Sequence, residues 1–285
     1  MSSEKRFNRG IHVKFKFCSV LCLVLIGMGQ GQLIINVKNQ GGDIVQETIY
    51  ANATDDTITL EFQRSDGTLV TQLIDFRNEV QILKSLILGE EERGQSQYQV
   101  MCFIFHFPKN SFISSDAMSK LRQKNPSTVR TPEEDHGRLN HTMDYSVVLK
   151  HSHVISPFIK DICAEAGQAS YTRYEDIMKW SNIHGIPTAS YLPAIKRFPT
   201  TPDYINSDIS YESSPIGLAN CTDIKKMWTP CLCHLEQCIG WYPCELKYCK
   251  GKAPISSYRC GIKTCKICHL FVYYIAQKQQ CLWDE

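Results

Sequence analysis

Cys260-Gly-Ile-Lys-Thr-Cys265-Lys-Ile-Cys268-His-Leu-Phe-Val-Tyr-Tyr-Ile275 belongs to a segment, Cys221 to Cys281, that holds ten of the fourteen cysteines of this 285-residue chain. That is about 16 % cysteine, above the roughly 8–10 % that marks a disulfide scaffold in a short secreted segment. So few large aliphatic residues bury too little apolar surface to fold by packing alone, and covalent cross-links must replace a core. Cross-links at this density need an oxidising compartment.

Thiol and imidazole also stand together in Cys231-x-Cys233-His234 and Cys265-x-x-Cys268-His269, a spacing that elsewhere holds zinc. In an oxidising compartment the same spacing means bridges. The expectation is therefore structural disulfides among Cys221, Cys231, Cys233, Cys238, Cys244, Cys249, Cys260, Cys265, Cys268 and Cys281, with no metal, no cofactor and the pairing left open. Cys265-Lys-Ile-Cys268 also has the spacing of a thiol–disulfide oxidoreductase. A functional pair sits at a helix N-terminus that lowers the thiol pKa, whereas this one runs into the strand-like Leu270–Ile275.

Outward from that segment, the N-terminus has the three parts of an export signal: basic Lys5, Arg6, Arg9, Lys14 and Lys16, a mainly apolar run from Phe17 to Met28, and small residues at Gly27, Gly29 and Gly31. The run falls short of the ~20 residues that span a bilayer, so residues 1–31 read as a cleaved signal peptide and the protein as secreted. Cleavage removes Cys18 and Cys22 and leaves twelve cysteines, an even number that suits complete pairing. Sequons at Asn52, Asn140 and Asn220 agree with export. The net charge is +2, and there is no basic stripe for nucleic acid.

Leu33–Lys38, Ile44–Tyr50, Thr57–Arg64 and Leu69–Phe76 read as antiparallel strands, joined by turn-forming Asn39–Asp43 and Ser65–Thr68. Phe76, Val80, Leu83 and Ile87 then lie three or four apart, which predicts a helix with Asp75 as its N-terminal cap. Tyr98–Phe107 is a strand carrying Cys102, Ser114 or Ser115 caps a short helix, and residues 124–140 form a charged loop. Met143–Leu149 is another strand, and Pro157 opens a helix containing Cys163. Cys102 and Cys163 stand far from the terminal cluster and are expected to pair, closing a loop of ~60 residues that stabilises the fold by roughly 4 kcal/mol. Residues 185–218, with Pro187, Pro193, Pro199, Pro202 and Pro215, read as a linker in which Lys196-Arg197 sits exposed.

Leu83-Lys-Ser-Leu-Ile-Leu-Gly-Glu90, Gly94-Gln-Ser-Gln-Tyr98, Leu121-Arg-Gln-Lys-Asn-Pro126, Cys163-Ala-Glu-Ala166, Trp241-Tyr-Pro-Cys244, Lys247-Tyr-Cys249, Cys260-Gly-Ile262 and Cys281-Leu-Trp-Asp-Glu285 closely resemble, in order, the Out at first protein family. The resemblance implies a secreted animal protein with a role in nervous-system development and no established biochemical activity. Cys238 and Cys268 fall outside the family pattern and imply an additional bridge. The first domain also resembles BRICHOS in its order of strands, an acid before a helix and two distant cysteines; Asp75, Cys102 and Cys163 match that order. This second resemblance implies an acid at Asp75 and chaperone-like binding of an extended, β-prone peptide.

The fold expected is α+β: an antiparallel sheet with helices, BRICHOS-like, over 32–184, a Pro-rich linker over 185–218 and a small disulfide-rich module over 219–285. Gly-x-Ser-x-Gly, His-Glu-x-x-His, phosphate-cradling and calcium-loop signatures are absent from the sequence. A non-enzymatic, secreted glycoprotein follows, acting on an extracellular protein partner or receptor through the sheet face or through Trp241-Tyr242-Pro243, with no stable membrane span.

Overall fold

The computed structural model describes residues 31–38, 41–89, 94–95, 98–123, 125–198, 218–250 and 257–281. The proposed signal peptide, apart from Gly31, and the stretch 199–217 of the proposed linker lie outside these residues.

Ten strands form one mixed sheet: β1 (Gly31–Lys38), β2 (Ile44–Asn52), β3 (Thr57–Gln63), β4 (Leu69–Asp75), β5 (Val80–Leu88), β6 (Tyr98–His106), β7 (Val129–Arg130), β9 (Tyr145–Val147), β10 (Ser170–Thr172) and β11 (Ile195–Arg197). Their order is β11-β9-β10-β6-β5-β4-β3-β2-β1-β7. β1 to β6 run as an antiparallel meander, while β7 joins β1 and β10 joins β6 in parallel. The remaining three strands, β8 (Glu134–Thr142), β12 (Cys231–Lys250) and β13 (Ser257–Ile275), make a second sheet in the order β12-β13-β8. Among the described residues there are three α-helices, α1 (Ser115–Ser119), α2 (Ile159–Ile162) and α3 (Tyr174–His184).

The molecule is mostly β, and the expected α+β, BRICHOS-like architecture is overturned. The helix expected after Asp75 is strand β5, paired with β4 and β6 along its length. Its sequence misleads because both faces of the strand are covered. Val80 and Ile82 point into a core built with Ile104, Ile159, Ile177 and Trp180, whereas Leu83 points into the opposite core with Ile74, Phe103 and Phe271. Two interleaved apolar sets of period two mimic a helical stripe. β2 buries one face only, and its alternation is clean. The chaperone-like expectation rested on the BRICHOS resemblance and loses that support.

The expected charged loop at 124–140 also contains a strand. β8 lies parallel to β13 from Glu134↔Cys265 to Thr142↔Val272, so a segment from the middle of the chain completes the C-terminal sheet. That sheet packs on the ten-stranded one through Phe103, which stacks on Phe271 with ring centroids 4.0 Å apart, and through Tyr273, which meets Phe103 at 5.1 Å and Tyr171 at 4.9 Å. The hairpin cysteines and the N-terminal strands therefore share one core. The part of the proposed linker that is described is structured: Lys196 and Arg197 lie on β11, exposed but paired with Ser146 and Tyr145.

Candidate binding site between the two sheets

Five of the six disulfides organise the second sheet and its flanks, and the sixth lies under the first sheet. Cys238–Cys268, Cys244–Cys265 and Cys249–Cys260 are rungs across the β12–β13 hairpin. Cys221–Cys231 and Cys233–Cys281 tie the segments before and after the hairpin to its base, and Cys102–Cys163 joins β6 to the end of α2. Cys265 and Cys268 sit in mid-strand and are bonded to two different partners, not to each other at a helix N-terminus. His136, Cys244 and Cys265, like Glu236, Cys238 and Cys268, bring donor types together, but the sulfurs of both groups are disulfide sulfurs rather than thiolates.

Asp75 caps no helix. It is fully buried at the end of β4, where Oδ1 accepts from the amides of Arg77 and Asn78, each at 3.1 Å. Its Oδ2 accepts from Asn78 Nδ2 at 2.6 Å and Ser156 Oγ at 2.7 Å. Four donors fill the carboxylate's accepting capacity and fix the β4–β5 turn against the segment leading into α2. Among the sequons, Asn52, Asn140 and Asn220 are all exposed. Asn52 Oδ1 also accepts from the amides of Thr54 and Asp55. Trp241, Tyr242 and Pro243, expected as a surface loop, are buried in β12. Among the described residues the three most exposed aromatics lie elsewhere, at Trp228 (70 %), Tyr248 (60 %) and Tyr258 (57 %).

Two clefts open along the seam between the sheets. The first, about 520 Å³, runs beside β1, β2 and the bulged part of β12. The register of β12 against β13 shifts between Ile239 and Tyr242, and Glu47 reaches up from β2 to meet the Gly240 and Trp241 amides there. Gly240 N donates to Glu47 Oε1 at 3.1 Å, while Oε2 is buried without a partner. Burial pushes the Glu47 carboxyl up to about 8 against the opposing pull of those two amides. Gly240 is required by this close approach, since a Cβ there would stand 2.9 Å from Val37 Cγ1 and 3.2 Å from Glu47 Oε1.

The second cleft, about 460 Å³, is walled by β4, β5 and β6 on one side and by β8, β12 and β13 on the other. His141 Nε2 and His269 Nδ1 lie 3.0 Å apart inside it, with Phe105 4.7 Å from the His141 ring and 5.2 Å from the His269 ring. Burial lowers His141 to about 3 and His269 to about 4, so at neutral pH both imidazoles are uncharged and one donates to the other. Tyr242 closes one end, stacked on Phe112 at 5.3 Å and sharing a 3.0 Å hydrogen bond with His136 Nδ1. At the other end Arg173 donates to Asp176 at 2.6 and 2.9 Å, and Lys179 lies 3.6 Å from the same carboxylate.

Sequence reading did not single out Glu47, Gln72, His141 or Gly240. A signal was present: Glu47 and Gln72 occupy positions where the alternation of their strands calls for an apolar residue, and both are buried. His269 was seen only as a neighbour of Cys268, because its imidazole partner lies 128 residues away.

The family model described as "Out at first" matches residues 31–180, and the one described as "Out at first, C-terminal" matches residues 220–285. Over 280 residues the chain is 53% identical to the Out at first protein of Drosophila virilis, covering 93% of this chain and 87% of that protein. Over 267 residues it is 54% identical to the Out at first protein of Drosophila melanogaster, covering 89% of this chain and 52% of that protein, so it spans about half of that relative's length. No solved structure matches.

Proposed function

This chain belongs to the Out at first family, and from that premise we propose that it is a secreted, non-enzymatic glycoprotein that acts in development, in the nervous system above all, by contact with an extracellular protein partner. The observation that carries this reading is that every cysteine among the described residues is disulfide-bonded. Six bridges of this kind persist where no reducing pool reaches them. Among the described residues no helix is long and apolar enough to cross a membrane. The stapled hairpin carries exposed Tyr248 and Tyr258 beyond the Cys244–Cys265 rung, and aromatic side chains on a rigid support lose little entropy on binding.

The test is an intact mass of protein collected from culture medium, alkylated without reduction and then again after reduction and deglycosylation. The expected result is a chain lacking the leader, with no alkylated thiol at first and twelve after reduction. Retention in the cell, or free thiols in the secreted form, counts against the reading. Binding of the labelled protein to neural cells, weakened by Tyr248→Ser with Tyr258→Ser at an unchanged melting temperature, checks the contact surface.

A further inference from the structure

Trp228 is the most exposed large apolar side chain among the described residues, at 70 %, whereas Trp180 and Trp241 are buried. A single exposed apolar residue is ordinary on a protein surface. Trp228 differs in how firmly it is displayed. The loop from Cys221 to Cys231 is closed by its own disulfide, and Cys233–Cys281 ties the segment after the hairpin to the same base. Lys278 N donates to Thr229 O and Gln279 N to Met227 O, each at 3.0 Å, and Lys278 Nζ donates to Ile224 O at 2.6 Å. Thr229 N donates to Lys226 O at 3.3 Å, closing a turn whose two central residues are Met227 and Trp228. A loop fixed in this way loses little entropy when its apex binds something.

The order of side chains along the loop narrows what it binds. Lys225 and Lys226 stand just before the turn, both exposed and neither in an ion pair among the described residues, and Asp223 is the one acid between Cys221 and Cys231. The indole therefore leads and the cations follow behind it. That is the order met on approaching a bilayer, where anionic headgroups attract lysine and the interface holds the amphipathic ring of tryptophan. A protein partner fits less well, because a stable interface takes roughly 800 Å² from each side, more than the few side chains at this apex present.

We propose that the Cys221–Cys231 loop docks the protein on a lipid surface that carries anionic headgroups. Trp228 enters at headgroup level, and Lys225 and Lys226 lie against the phosphates, so the chain rests on the surface without spanning it. The loop joins β12 at Cys231, whereas Tyr248 lies near the far end of that strand, so lipid docking and the aromatic contact surface use opposite ends of the hairpin.

The test mixes the full secreted chain with vesicles of phosphatidylcholine alone and of phosphatidylcholine with phosphatidylserine, reading sedimented protein and tryptophan emission together. Binding is expected to the phosphatidylserine vesicles, weakening as salt is added and shifting the emission to the blue. Trp228→Ala should weaken binding about tenfold or more and remove most of the shift. Lys225→Gln with Lys226→Gln should weaken it about fivefold per lysine. All three side chains are exposed, so both variants should keep the parent's melting temperature. Absence of binding to either vesicle, or binding undiminished in Trp228→Ala, would overturn the proposal. Tighter Trp228-dependent binding to soluble polyglutamate than to the vesicles would overturn it too, and would assign the loop to an acidic protein. None of these outcomes bears on secretion or on the hairpin contact surface.

Discussion

The central strands of the large sheet and the hairpin that covers them are held by different chemistry. β4, β5 and β6 bury apolar side chains on both faces, and Val80, Ile82, Leu83, Phe103 and Ile104 are fully enclosed. β12 and β13 are more than twice as long as those strands, yet they carry a cysteine rung where the others carry a second layer of aliphatic residues. A lone hairpin is marginal in water, and even a three-stranded sheet needs a hydrophobic face or packing against another layer. The contrast teaches that the disulfides do not make up for a missing core everywhere in this chain. Five of the six staple the β12–β13 hairpin and its flanks, and one, Cys102–Cys163, ties the doubly covered β6 to α2.

The largest effect should come from removing one bridge in each region. Cys102–Cys163 closes a loop of 61 residues, to which chain entropy assigns about 4 kcal/mol, whereas Cys233–Cys281 spans 48 residues already bridged inside by Cys238–Cys268, which leaves it about 3 kcal/mol. Their structural consequences should differ. Hydrogen exchange on Cys233→Ser with Cys281→Ser is expected to show β12 and β13 losing protection, whereas Cys102→Ser with Cys163→Ser should lower global stability and leave β4–β6 the most protected strands. Equal and uniform loss of protection in the two variants would break the contrast.

A smaller effect tests the seam itself. Gly240→Val places side-chain atoms against Val37 and Glu47, and overpacking of this kind costs about 1–3 kcal/mol. Denaturant unfolding should show that loss, with the hairpin again the first element to exchange.

A third test is a dependence on pH. The Glu47 carboxyl, ordinarily near 4.5, lies near 8 when buried in the fold. The folded state therefore favours the protonated acid, and the resulting stability is complete below the ordinary value and is lost as pH rises towards about 8. Glu47→Gln imitates the protonated acid at every pH. Melting temperatures measured from about pH 5 to about pH 9 should fall more steeply for the parent protein than for the variant, which should be the more stable of the two at the alkaline end. Parallel curves would show that Glu47 does not change its proton across this range.

These contrasts also explain what the sequence made legible. β1 to β4 could be read because alternation, β-branched residues and turn residues such as Asp66-Gly67 all agree, and Gly67 does adopt a positive φ of 85°. β5 could not, since a strand with two apolar faces has no polar phase to set its period. β8 was hidden for the opposite reason: only His141 among its nine residues is buried, and its pairing partner is remote in sequence. Cysteine density identified the scaffold, but the rungs depend on the hairpin register, which cysteine spacing alone does not encode. The seam lay in Glu47 and Gln72, which are polar residues in apolar phase. His141 could be joined to His269 only by the topology.

The parallel pairing of β8 with β13 has a consequence for the order of events when the chain is made. Glu133 N donates to Thr264 O across 131 residues, so β8 is synthesised well before the strand that will receive it. At roughly 5–20 residues per second, that interval is on the order of ten seconds. During it the meander can close on itself while β8 stands as an unclaimed edge. Its charged residues, Glu134, Asp135 and Arg138, suit that wait, because charge on an open strand discourages pairing with other chains. The second sheet therefore has to wait for the C-terminal hairpin, since β8 finds its partner only in β13.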